Sequence, residues 1–155
     1  MTSALRAELR QGKPFTSLEQ EAYLSVKRTE AALRDHLEHV LKPFGISVTQ
    51  YNVLRILRGA GQGGLCRNEI RDRLIDRMPD VTRLLDRMEE TGWITRSRSS
   101  EDRRQVSTFL TKAGKDLVNS LDAPVEAEHA KRLGHLTKTQ LRTLIDLLAA
   151  ARQAG

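Results

Sequence analysis

An intrachain disulfide is excluded at once: 155 residues include one cysteine, Cys66, which also rules out a multi-cysteine zinc site. Apolar residues make up 39% and aromatics only 4%, and no apolar run approaches the ~20 residues that a membrane-spanning helix needs. Met1 to Arg10 lacks the charged-then-apolar pattern of a secretory leader, so the expected location is cytoplasmic. Also missing are a nucleophile elbow, a phosphate-cradling glycine loop and a carboxylate pair in a defined setting, which argues against an enzyme. Glu101 and Asp102 therefore read as loop structure. The length is that of one domain with a real core, and 30% charged residues suit a helical protein with long exposed faces, one that can borrow a partner to complete its core.

What is abundant is arginine. The net charge is +6, and arginines outnumber lysines 19 to 7. Residues 67–104 hold ten Arg, no Lys and nine Asp or Glu, so that stretch is only +1 and its net charge alone does not identify a partner. Residue type says more, because the planar guanidinium fork engages guanine edges and phosphates bidentately.

The organising stretch runs from Cys66 to Thr111. Between Met78 and Thr91, Val81, Leu84, Leu85 and Met88 recur at i, i+3, i+4 and i+7, which predicts a helix with Thr82, Arg83, Asp86, Arg87 and Glu90 outside. Pro79 suits its first turn, Asp80 the positive end of its dipole and Gly92 its end. Asn68 to Ile75 repeats the pattern with Ile70, Leu74 and Ile75, and Asp76 to Met78 reads as the turn of a helix-turn-helix. After Gly92 the period becomes 2. Trp93–Arg96 and Gln105–Leu110 read as strands flanking a polar projecting loop, Ser97 to Arg104. A helix-turn-helix followed by such a hairpin is a winged helix.

The run TRLLDRMEETGWITRSRSSEDRRQVSTFLTKAG resembles the MarR family of winged helix-turn-helix transcriptional regulators. The order is shared: recognition helix, Gly-ended turn, a wing with Asp102-Arg103-Arg104, and a strand closing on Leu110-Thr111-Lys112-Ala113-Gly114. Order and spacing agree over about 45 residues. The resemblance implies a homodimer on an inverted-repeat operator in double-stranded DNA, more often a repressor, released by a small aromatic or phenolic ligand. No cofactor is expected.

Docked in that way, the helix from Pro79 enters the major groove, with Arg77, Asp80, Thr82 and Arg83 toward base edges and Arg87 nearer the backbone. Wing candidates are Arg96, Arg98, Ser99, Asp102, Arg103 and Arg104, directed at the adjoining minor groove. Arg103 is the first choice there, while Asp102 and Arg104 could pair to order the loop. The resemblance gives Arg104 either DNA contact or wing bracing. Candidate ligand-pocket residues, by analogy alone, are Tyr23, Val26, His36, Tyr51 and Arg55, most of which also fit a core role.

The flanks read as arms: mainly α, with a small β wing between N- and C-terminal dimerisation helices. Met1 to Phe15 reads as a short or frayed arm, and Ser17 to Lys42 as one long amphipathic helix ended by Pro43 and Gly45. At ~1.5 Å per residue it outreaches a small head, and a second copy is the simplest cover. Tyr51, Val53, Leu54 and Leu57 mark the next helix, with residues 59–64 a glycine-rich flexible connection and Leu65 a strand residue. Thr111 is a candidate N-cap, Leu117 to Val125 a stripe broken or kinked at Pro124, and Thr139 to Ala151 a last amphipathic helix. The expected units are 1–45, 46–111 and 112–155.

Cys66 beside Arg67 at a helix start admits redox sensing, but a small buried residue is the first reading, since no resolving cysteine exists in the chain. In MarR-like peroxide sensors the reactive cysteine lies in the first long helix, which here has none. His36 and His39, or His129 and His135, admit a zinc site, yet no cysteine joins them and Asp35 and Glu38 fit a solvent face; no metal is expected. The alternatives to a DNA-binding regulator are a winged helix for protein or RNA contact, and a redox-responsive regulator acting through Cys66.

Overall fold

A computed structural model of the chain describes residues 3–98 and 104–154. The elements are α1 (Ala4–Glu8), α2 (Leu18–Leu41), α3 (Val48–Ala60), β1 (Leu65–Cys66), α4 (Arg67–Arg73), α5 (Thr82–Glu90), β2 (Ile94–Arg98), β3 (Val106–Leu110), α6 (Lys112–Leu133) and α7 (Lys138–Gln153). The fold is mainly helical with one three-stranded antiparallel sheet ordered β1-β3-β2, the expected winged helix between helical arms.

Local chemistry sets most boundaries. Ser17 caps α2 by accepting from the Gln20 N–H, and Gly45, at φ 70°, turns the chain after Pro43. Ser47 and Gln50 form a reciprocal capping box on α3, as Thr137 and Gln140 do on α7. The predicted N-cap Thr111 accepts from the Gly114 N–H at 3.1 Å. At the end of α5, Trp93 N–H donates to Met88 O and Gly92 N–H to Glu89 O, a Schellman motif that needs the positive φ of Gly92.

The core lies where the arms meet the head. Leu41, Val53, Leu54, Ile70, Val81, Leu85, Met88, Ile94, Val118 and Leu121 are essentially sealed from solvent, and α6 packs on both α2 and α3. Removing such side chains from water at about 1.5–3 kcal/mol each is the main stabilising term. No residue of α7 is fully buried: Ile145 and Leu147 are more than 60% exposed, as are Leu18 and Tyr23 on α2.

Several expectations need correction. The recognition helix starts at Thr82, so Pro79 precedes it, because the Asp80 carboxylate takes the Thr82 N–H and hydroxyl in a local turn. The connection between the two helices is residues 74–81, longer than Asp76 to Met78. α4 ends at Arg73, where Leu74 turns extended at ψ 142°, and Ile75 is 82% exposed instead of core. Ser97 and Arg98 belong to β2, since its ladder with β3 runs on to the Arg98–Val106 pair. Residues 59–60 complete α3 and 61–63 form a 3-10 turn in place of a structureless connection. The N-terminal arm contains α1, anchored by buried Leu5. α6 runs through Pro124 unbroken, because Val118, Leu121 and Val125 hold it to the core on both sides of the missing N–H.

Candidate nucleic-acid interface

The reading helix is seated by its apolar side and displays its polar one. Val81, Leu85 and Met88 are buried, while Arg83, Arg87 and Glu90 are exposed. At its start Asp80 Oδ1 accepts the Thr82 N–H at 2.9 Å and the Thr82 hydroxyl at 2.7 Å. These bonds, the hydroxyl first, hold the Asp80 carboxyl below its ordinary range. Thr82 Oγ1 also accepts from Arg67 Nη1 at 3.0 Å. Asp80 and Thr82 are thus engaged in fixing the helix start, and Arg83 and Arg87 are the arginines that α5 itself displays. Arg77 lies exposed in the connection before the helix.

β2 is fastened to the same helix. Arg96 Nη2 donates to Asp86 Oδ1 at 2.6 Å and Glu89 Oε1 at 3.1 Å, and its backbone N–H reaches Glu89 Oε2 at 2.9 Å. The Arg96 side chain keeps Glu89 below the ordinary carboxylate range. Read from sequence as a wing residue facing DNA, Arg96 instead spends its guanidinium on bracing the wing strand against the recognition helix. Arg98 stands at the outer end of β2 and Arg104 opens the return toward β3; both are exposed. Ser99, Asp102 and Arg103 lie outside the described residues.

A cleft of about 730 Å³ separates helix from wing, lined by Cys66, Arg67, Asn68, Thr82, Arg96 and Arg104 among others. Arg67, Asn68 and Gln105 join the site here, and the sequence reading did not assign them to DNA. Arg67 meets Thr82 only through the tertiary fold, 15 positions along the chain, so no periodicity could flag it. A polar notch lined by Arg67, Asn68, Arg71, Pro79 and Asp80 adjoins it.

Other candidates separate. Cys66 is half-buried instead of buried, at the start of α4, where its backbone N–H donates to Glu69 Oε2 at 2.8 Å. Tyr51 is core at 6% exposure, with the Arg55 guanidinium 5.9 Å from its ring centroid. Tyr23, Val26 and His36 are exposed along α2. The five candidate ligand residues line neither that cleft nor the notch beside it, so one chain does not gather them into these cavities. Among the described residues no group of three or more His, Cys, Asp or Glu could hold a metal.

The MarR family model matches residues 46–106, the reading head itself. The HTH-type transcriptional regulator YwoH of Bacillus subtilis, itself uncharacterized, is 42% identical over 46% of this chain; the match spans half of that relative's length. A crystal structure of a MarR transcription factor from Planctomyces limnophilus is 41% identical, with TM-score 0.67, covering 88% of this chain and 99% of that one. The S. aureus MepR–DNA complex, at 23% identity and TM-score 0.77, covers 89% and 97% and shares the fold. With a relative this similar over nearly its entire length, and with helix, Gly92 turn and braced wing in matching order, this chain belongs to the MarR family.

Proposed function

We propose that the chain is a sequence-specific, double-stranded DNA-binding transcriptional regulator acting as a homodimer, most simply a repressor. The observation that carries this reading is α5: a helix locked on its apolar side and presenting Arg83 and Arg87, with a wing strand held at its flank by Arg96. Such a helix suits the major groove, and the hairpin beside it suits the neighbouring phosphates or minor groove. MepR, of similar fold, carries DNA in its structure. The exposed apolar residues of α2 and α7, Tyr23, Val26, Ile145 and Leu147 among them, support pairing of two chains through their arms.

Two heads related by a two-fold axis read an inverted repeat with half-site centres about 10 bp apart. Selection of bound duplexes from a random pool, followed by footprinting, tests this; protection without dyad symmetry overturns it. Release by an aromatic or phenolic anion bound between arm and head is the finer part of the reading. It rests on family membership and on Tyr23, Val26 and His36 lying along the arm helix. Titrating such anions into the complex with the selected duplex checks it, and an operator affinity indifferent to all of them counts against it. A reporter placed behind the operator distinguishes repression from activation.

A further inference from the structure

The connection 74–81 has no regular structure, yet it sets where the recognition helix begins. Its seat is supplied by two other elements. Ile75 N–H donates to Asn52 Oδ1 on α3 at 3.0 Å. One residue on, Asp76 receives both arms of the Arg34 guanidinium from α2, Nη1 to Oδ2 at 3.2 Å and Nη2 to Oδ1 at 2.8 Å. Arg34 is itself aimed by Glu30 one turn earlier, with Nε to Oε1 at 2.7 Å. A fork-to-carboxylate contact fixes plane as well as distance, which a single-point contact does not.

We infer that Arg34 and Asp76 are a positioning pair through which the long arm helix sets the seat of the recognition helix, without touching DNA. Their side chains are 36% and 34% exposed, so the pair adds little to global stability; what it supplies is geometry. Five residues after Asp76, Val81 is fully buried at the head of α5, so a displacement of the connection is passed to that helix. Any shift of α2 against the head is transmitted along this route. The inference deepens the DNA-binding reading and rests on it for its effect on affinity.

The test uses the full chain with Arg34→Ala, Asp76→Asn and the double variant. Arg58→Ala is the control, since Arg58 makes a similar forked pair with Asp122 between α3 and α6, away from the connection. Hydrogen exchange of amides 75–84 is expected to quicken about three- to tenfold in both single variants while α6 amides stay as they were. Affinity for the selected duplex is expected to fall by about the same factor with the salt slope retained, the double variant being no worse than either single. Exchange that quickens uniformly, as for a merely structural pair, overturns the inference. So do additive losses, or a reduced salt slope, which would make Arg34 a phosphate contact. Should the wild-type protein hold no duplex at all, the DNA reading falls, and the exchange result still decides whether α2 seats α5.

Discussion

A Cβ on Gly114 would collide with the Trp93 carbonyl, so the start of α6 can lie against the turn between the reading helix and β2 only with glycine there. Thr111 completes the joint, its hydroxyl donating to Gly92 O at 2.6 Å and its N–H to Trp93 O at 3.1 Å. Gly114→Ala is expected to cost about 1–3 kcal/mol, the range for overpacking, read as a lower urea midpoint; an unchanged midpoint counts against this close approach. At Arg83 the expectation is different: Arg83→Ala leaves folding intact and loses about 1–3 kcal/mol of discrimination at one operator position. Competition among single-base operator variants measures it. Arg96→Ala should weaken duplex binding by loosening the wing while the slope of affinity against salt stays put, because its guanidinium is committed to Asp86 and Glu89. A slope shallower by about one would restore it as a phosphate contact. In the sequence Arg96 and Arg98 look alike. Arg96 is drawn inward because Asp86 and Glu89 face β2 once the chain has reversed at Gly92.

At the scale of elements, connection, reading helix and wing strand are joined by ionised carboxylates. Asp76, Asp80 and Glu89 all titrate below their ordinary values, chiefly through side-chain hydrogen bonds from Arg34, Thr82 and Arg96 respectively. A carboxyl whose folded value is depressed stabilises the fold above its ordinary value, and that contribution is lost as pH falls through the depressed one. The head is therefore expected to lose stability as pH drops below the ordinary values of 3.8 for Asp and 4.5 for Glu, and Glu89→Gln to flatten that loss. Melting temperature followed against pH for both proteins checks it; parallel curves sink the assignment. The helices and strands themselves were legible, since the 3.6 and 2 periods are written in neighbouring residues. The start of α5 was not, because Asp80 can serve equally in a first helical turn or as the acceptor just ahead of it. Its bonds to Thr82 choose the second.

For the whole molecule, the exposed apolar residues of α7 and of the first half of α2 are the surface that the proposed dimer would cover. Ile145→Glu with Leu147→Glu is expected to halve the mass seen by sedimentation and to abolish preference for paired half-sites, leaving the weaker binding of a single head. An intact dimer with full operator affinity refutes the assignment of α7 to the interface. The long arm, the helix-turn-helix, the arginine-bearing wing strands and their order were all determined by the sequence alone. Apolar spacing and the switch of period at Gly92 are properties of adjacent residues and need no distant partner to be read. Only the tertiary structure decided which arginines are committed within the protein and which face outward. Arg34 closes on Asp76 across 42 positions and Arg58 on Asp122 across 64, whereas Arg83 is carried to the surface by the burial of Val81, Leu85 and Met88. An ion pair depends on separation in space, and separation in space is what the folded core creates.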